Sequence, residues 1–273
     1  MKNIKIGFIG GGNMARSLIS GLIADGVVAS NIMASAPSRE TRQALEEHFA
    51  IHTSEDNQSL VDHCDVIVLA VKPQVLKSVI SPLKIAEPQS LLLLTVAAGI
   101  PVASIRNWLE TPVAIVRAMP NTPALVQSGA TGLYAGAEVT STQRDTAESI
   151  MRTAGLVQWV ADEALMDAVT AVSGSGPAYY FFVMEAMEKA GIALGLNTET
   201  ARLLSIQTAL GAAKLALEAN EDPAILRQRV TSPGGTTEKA IEVLSQGGLM
   251  QLFDDALTAA RNRAVELAKE LGE

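Results

Sequence analysis

Ile4-Lys5-Ile6-Gly7-Phe8-Ile9-Gly10-Gly11-Gly12-Asn13-Met14-Ala15 is the stretch whose reading decides the fold. Ile4–Ile9 is a short apolar run of buried-strand type. A helical pattern follows from Asn13 to Ala24, with Met14, Leu18, Leu22 and Ile23 at helical spacing. Between them Gly10, Gly12 and Ala15 fit the G-x-G-x-x-(G/A) turn. Gly10 permits the tight turn, Gly12 lets a pyrophosphate approach the backbone, and Ala15 keeps the helix close to the sheet. The helix N-terminus then faces the anion. A strand before and a helix after are the context this turn needs, so it predicts a dinucleotide-binding unit.

The pattern repeats outward. Ile32–Ser35, Val66–Val71, Leu91–Val96 and Val113–Val116 read as strands, and Ser38 can cap a helix running to about His48. Alternating strand and helix predicts a parallel sheet covered on both faces. After Glu163 no β-branched run remains. Helical patterns occupy 165–173, 177–194, 198–219, 223–229, 236–246 and 249–271, with many Ala and Gly at interior positions. The expectation is α/β: an N-terminal Rossmann domain, doubly wound with a mainly parallel sheet, over 1–163. An all-α domain over 164–273 would follow, tightly packed and shared between subunits.

Composition bounds the function classes. The 273 residues are 48% apolar and 18% charged, and the net charge is -8. Both halves are acidic and neither has a basic stripe, so nucleic acid is not an expected partner. One cysteine, Cys64, excludes an internal disulfide and fits a reducing, cytoplasmic setting. The basic opening at Met1 and Lys2 leads into an apolar run too short for a signal sequence, and the longest uncharged stretches are broken by Gly and Pro. No membrane association is expected. Metal-ligand spacings are missing too.

The end of the second strand bears on the coenzyme. NAD binders place a carboxylate there for the ribose 2′-hydroxyl. Here Ala34-Ser35-Ala36-Pro37-Ser38-Arg39 offers hydroxyls and a guanidinium, which suit a 2′-phosphate. NADPH is expected, held in part by Ser38 and Arg39. NADH is the alternative, with Ser38 only capping a helix and Arg39 solvated. Three further segments fall at strand ends: Ala70-Val71-Lys72-Pro73, Ala97-Ala98-Gly99 and Met119-Pro120-Asn121-Thr122-Pro123. Open α/β sheets bind ligands there, which puts Asn121 among the coenzyme residues. Two segments open helices in the second half, Ser173–Tyr179 and Ser232–Thr237. The latter reads as a nest for a small carboxylate.

The absences matter as much. Ketone reduction needs a proton donor, commonly His, Lys or Tyr. His48, His52 and His63 lie away from the nicotinamide end, and Lys189 is followed four residues later by Ala193, so the Lys-x-x-x-Asn pair of the β-hydroxyacid dehydrogenases is missing. Hydroxyls and backbone amides suit a C=N bond better, because an imine nitrogen can carry its own proton.

These segments together resemble the pyrroline-5-carboxylate reductase family over essentially the whole chain. The most specific block is Val230-Thr231-Ser232-Pro233-Gly234-Gly235-Thr236-Thr237, with Phe8–Met14, Ala70–Gln74, Arg117–Ala124 and Val172–Tyr179 in order and spacing. The resemblance implies hydride transfer from NADPH to the C=N carbon of 1-pyrroline-5-carboxylate, giving L-proline. It implies coenzyme contacts at Gly10, Gly11, Gly12, Asn13, Met14, Ser35, Asn57, Ala70, Val71, Lys72, Pro73, Ala97 and Ala98. It implies a substrate carboxylate on Ser232, Gly234, Gly235, Thr236 and Thr237, with Thr237 bonding the ring nitrogen. Ser173 and Ser175 would lie near the nicotinamide and the ring, and Thr237 and Ser175 are the catalytic candidates. It also implies a homodimer through the helical domain, with dimers able to assemble into larger rings. One departure is Ala36-Pro37-Ser38-Arg39, where family members often carry an Asn-Arg pair.

Overall fold

The computed structural model describes residues 4–272; Met1 and Lys2, the basic opening, lie outside the described residues. Five parallel strands follow the alternation read above: β1 (Ile6–Ile9), β2 (Ile32–Ser35), β4 (Val66–Leu69), β5 (Leu92–Thr95) and β6 (Ala114–Met119). A short β3 (His52–Ser54) adds to the β2 edge. The connecting helices are α1 (Asn13–Ala24), α2 (Arg39–Phe49), α3 (Asn57–His63), α4 (Pro73–Ile80) and α5 (Val102–Leu109).

The sheet order is β3-β2-β1-β4-β5-β6-β7-β8, where β7 is Gly129–Ala135 and β8 is Gly155–Trp159, joined by α6 (Ser141–Arg152). Strand order reverses at β1, which pairs with both β2 and β4. An open α/β sheet binds its ligand beyond the carboxyl ends of the strands at such a point.

Two features correct the sequence reading. β7 and β8 were not expected, and β7 runs antiparallel to β6. Only residues 120–128 join β6 to β7. A parallel return needs a crossover of a dozen residues or more, so this short connection can only double back.

The strands separate two apolar layers by simple alternation. Ile6, Phe8, Val66, Val68, Leu92, Leu94 and Val116 face α1 and its neighbours. Ile9, Ile67, Leu69, Leu93 and Ile115 face Leu76 of α4 and Ile105 of α5. Each such side chain contributes about 1.5–3 kcal/mol by leaving water. Cys64 is buried among them, and desolvation pushes its thiol up to about 11, so it is an inert core residue. Trp159 donates to Glu148 at 2.6 Å and stacks under Arg144, which makes it packing as well.

The chain divides into two compact units. One runs to Ser175 and takes back the chain from Ala260; the other is Gly176–Ala259. The first contains α7 (Leu165–Val169), which passes into a π-turn at Thr170–Gly174 rather than continuing as the single helix expected over 165–173. The second contains α8 (Gly176–Ala193), α9 (Thr198–Glu218), α10 (Pro223–Arg229), α11 (Thr236–Gln246) and the start of α12 (Leu249–Gly272).

The second unit by itself has a thin core. Phe181, Phe182, Leu203, Leu204, Leu210 and Leu217 stand exposed, and Ala201 and Ser205 are the only buried residues of α9. Helices apolar on every face need a partner surface to cover them. Among the described residues no helix is long and apolar enough to cross a membrane.

Candidate active site

The site is built where β1, β2 and β4 end. Gly10 adopts φ +109°, which favours glycine, and a Cβ there would stand 2.5 Å from the Ala70 carbonyl oxygen. Its N–H donates to the Ser35 carbonyl at 2.9 Å, and the Ala70 N–H donates to the Ile9 carbonyl at 2.8 Å. Gly11 is buried under Thr41 and Leu45 of α2. Gly12 is different. It is exposed, a Cβ there would meet nothing within 4 Å, and it caps α1 without any side-chain hydrogen bond. The first amides of α1 therefore open onto free space beside Asn13 and Met14. This is the donor set an anionic pyrophosphate fits. Arg16, which the sequence reading passed over, donates from Nε to the Gly11 carbonyl at 3.2 Å and braces the turn from inside α1.

Ser35 and Asn57 are brought together: Ser35 Oγ donates to Asn57 Oδ1 at 2.7 Å. Ser35 is 1% exposed, so its hydroxyl holds Asn57 in place. Ser38 Oγ accepts the Thr41 N–H at 3.3 Å and caps α2, while Arg39 is exposed at the helix's first position. Arg42, absent from the sequence candidates, donates to the carbonyls of Ala36 at 2.7 Å and Pro37 at 3.0 Å, and pairs with Glu55 at 3.3 Å. It shapes the turn that carries Ser38 and Arg39. Its spacing from Ser38 resembles any solvated helical arginine, so no sequence signal marks it.

The remaining strand ends line up in the same unit. Lys72 is exposed ahead of α4, with Pro73 at that helix's first position, where its missing N–H has no intrahelical partner to lose. Ala70 and Val71 are half-buried beside it. Thr95 Oγ1 accepts the Ala97 N–H at 3.2 Å; Ala97 is buried and Ala98 exposed. Asn121 uses both ends of its amide on backbone: Oδ1 accepts the Ala130 N–H at 2.9 Å and Nδ2 donates to the Ser173 carbonyl at 3.0 Å. Ser173 Oγ donates to the Val169 carbonyl at 3.1 Å, and the Ser175 N–H closes the π-turn on Thr170 at 2.8 Å. The sequence reading had both serines opening a helix; they close a π-turn, and α8 starts after them.

Beneath β6 lies a charged brace that the sequence reading also missed. Arg117 is 5% exposed and pairs with Glu163 at 2.9 Å. The same Glu163 oxygen accepts the Val102 N–H at 2.8 Å at the start of α5. Burial pushes the Asp167 carboxyl above its usual range, against the pull of Arg117 and Arg261.

In the second unit, Ser232–Thr237 forms the turn into α11. Gly234 adopts φ +73° and the Gly235 N–H donates to the Ser232 carbonyl at 3.0 Å. Gly235 caps α11 with no side-chain hydrogen bond, and Thr236 and Thr237 are the helix's first residues. Glu238 enters unannounced: its carboxylate accepts the Gly234 N–H at 2.7 Å. This turn thus holds the chain's own Glu238 carboxylate on a backbone amide. Among the described residues no group of three or more His, Cys, Asp or Glu gathers as a metal site would require.

Residues 163–267 match the family model described as pyrroline-5-carboxylate reductase dimerisation, and residues 5–99 match one described as NADP oxidoreductase, coenzyme F420-dependent. A pyrroline-5-carboxylate reductase of Pseudomonas aeruginosa is 51% identical over 273 residues, covering all of both chains. The structure of such a reductase from Coxiella burnetii superposes with TM-score 0.93 at 49% identity, over 97% of this chain and 98% of that one. A pyrroline carboxylate reductase of Plasmodium falciparum with NADP bound does so with TM-score 0.85 at 29% identity, over 98% of this chain and 99% of that one. By sequence over its full length, the chain belongs to the pyrroline-5-carboxylate reductase family.

Proposed function

We propose that the protein reduces 1-pyrroline-5-carboxylate to L-proline with NADPH. The observation that carries the reading is the pair of glycine-led helix starts, α1 and α11, neither capped by a side chain. When bound, the coenzyme supplies the hydride. Gly10–Met14 would hold its pyrophosphate, and Asn57, which Ser35 fixes, would contact it together with Lys72 and Ala98 at the strand ends. The amides of Thr236 and Thr237 anchor the substrate carboxylate. Thr237 bonds the ring nitrogen, which carries its own proton, so no strong protein acid is required. Ser173 and Ser175 present the π-turn to the reacting end.

In this reading residues 1–163 serve the coenzyme, and 164–273 serve the substrate and a homodimer, with a ring of dimers as the higher assembly. The dimer is supported by the exposed apolar faces of α8 and α9 and by the dimerisation family model. The acidic net charge and the free, buried Cys64 suit a cytoplasmic enzyme.

The direct test is NADPH oxidation with pyrroline-5-carboxylate, with proline as the product; an enzyme inert to this imine defeats the proposal. Thr237→Ala loses one hydrogen bond in the transition state, about 1–3 kcal/mol, and kcat/KM falls roughly 5- to 150-fold. Full activity in that variant removes Thr237 from the mechanism. For the coenzyme, Arg39→Ala lowers the NADPH-to-NADH ratio of kcat/KM, because the exposed guanidinium of Arg39 is aimed at a 2′-phosphate in this reading. An unchanged ratio takes Arg39 out of the 2′-phosphate site.

A further inference from the structure

We infer that Asn121 is a positioning residue: its carboxamide holds the π-turn that carries Ser173 and Ser175, and so sets these hydroxyls for the reaction. The inference rests on the function proposed above for its catalytic consequence, but the brace itself stands on geometry.

The sequence creates a vacancy at this turn. In a continuous α-helix the Ser173 carbonyl would accept the N–H of the residue four positions on. That residue is Pro177, which has no N–H. The chain also widens here: the Ser175 N–H reaches back five residues to Thr170 instead of four. A half-buried carbonyl left without a donor is costly. Asn121 supplies the donor through Nδ2, at 3.0 Å. Its other end accepts the Ala130 N–H at 2.9 Å, at the start of β7. The amide therefore ties the π-turn to the sheet through two backbone groups.

Two close contacts make the same clamp. A Cβ on Gly174 would stand 2.5 Å from Cε of Met119, the last residue of β6. A Cβ on Gly132 of β7 would stand 2.5 Å from Cγ1 of Val169. The antiparallel pair β6 and β7 thus grips the segment 169–174, with Asn121 as its polar lock. An amide so engaged keeps one N–H and one lone pair, which leaves little of it for the coenzyme contact expected from the sequence.

The test uses the full-length enzyme and two variants. Asn121→Ala removes both bonds. Asn121→Asp keeps an acceptor for Ala130 but turns the donor toward Ser173 into an acceptor, and it serves if the alanine variant fails to fold. Three readouts are taken: NADPH Kd by fluorescence, kcat and imine KM at saturating NADPH, and amide hydrogen exchange at Ser175. The expected result is a fall of about tenfold in kcat, the scale of a small misplacement. NADPH Kd stays within about twofold, since uniform coenzyme binding is untouched. The Ser175 amide exchanges faster while those of Ile6–Ile9 keep their protection. A raised NADPH Kd with kcat preserved makes Asn121 a coenzyme ligand and overturns the inference. Unchanged exchange at Ser175 overturns it as well. If the wild-type enzyme does not turn over the imine, the proposed function fails, and the exchange result alone decides the brace.

Discussion

Gly12→Val leaves the protein folded and takes away its coenzyme. No atom lies within 4 Å of a Cβ built on Gly12, so the side chain enters open space and strains nothing. That space lies over the uncapped first turn of α1, where the pyrophosphate is expected to rest. Blocking two charge-assisted hydrogen bonds at about 1.5–3 kcal/mol each raises the NADPH Kd about 100-fold or more. Losing glycine at a helix cap costs at most about 1 kcal/mol, so Tm falls by no more than about 4 °C. Gly10→Val is the contrast. There the backbone is left-handed and the Cβ would collide with the Ala70 carbonyl, so fold and binding fail together. Equilibrium titration with NADPH beside a thermal melt reads both variants. A Gly12→Val protein that binds NADPH as the wild type does removes this turn from the coenzyme site.

The contrast also explains which parts of the molecule were legible in the sequence. The glycine turn was legible because its residues answer a local demand, a left-handed backbone at Gly10 and room above Gly12. β1, β4 and β5 were legible because strands buried on both faces read as unbroken apolar runs. β7 and β8 were not, because close packing overrode strand composition there. Gly132 of β7 lies against Val169, a contact that forbids a β-branched residue at that position. The turn Ser173–Gly176 reads as a helix start, since a bond reaching back five residues leaves no periodic trace. Among polar residues, legibility followed sequence distance. Ser38 and Thr41 are three apart and the cap was foreseen. Asn121 and Ser173 are 52 apart, Arg117 and Glu163 are 46 apart, and only the folded sheet brings each pair together. Arg117 stands in the family-like block 117–124, but nothing in its neighbourhood names its partner.

That partner carries a large expected loss of stability that involves no backbone strain. Glu163→Ala leaves the Arg117 guanidinium buried in the sheet without its carboxylate and strips the Val102 N–H of its acceptor at the uncapped start of α5. Asp167 remains near Arg117, and losing Glu163 also removes one of the charges that raise its carboxyl, so it offsets part of the loss. Breaking one partner out of such a buried pair costs about 3–5 kcal/mol. In a chain of this size that lowers Tm by roughly 6–20 °C. The Glu163 side chain keeps 25% of its surface in water, which draws the expectation to the lower part of that range. Charge and geometry can be separated. Glu163→Gln keeps an acceptor for Val102 and loses only the charge, so it falls between wild type and alanine. Replacing both partners, Arg117→Met with Glu163→Leu, removes the stranded charge and recovers much of the loss, because a well-packed apolar pair is often as stable as the ions it replaces. Calorimetric melts of the four proteins at one concentration decide the matter. If Glu163→Ala melts with the wild type, the pair is a bystander, and the order of β6, α5 and α7 must rest on apolar packing alone.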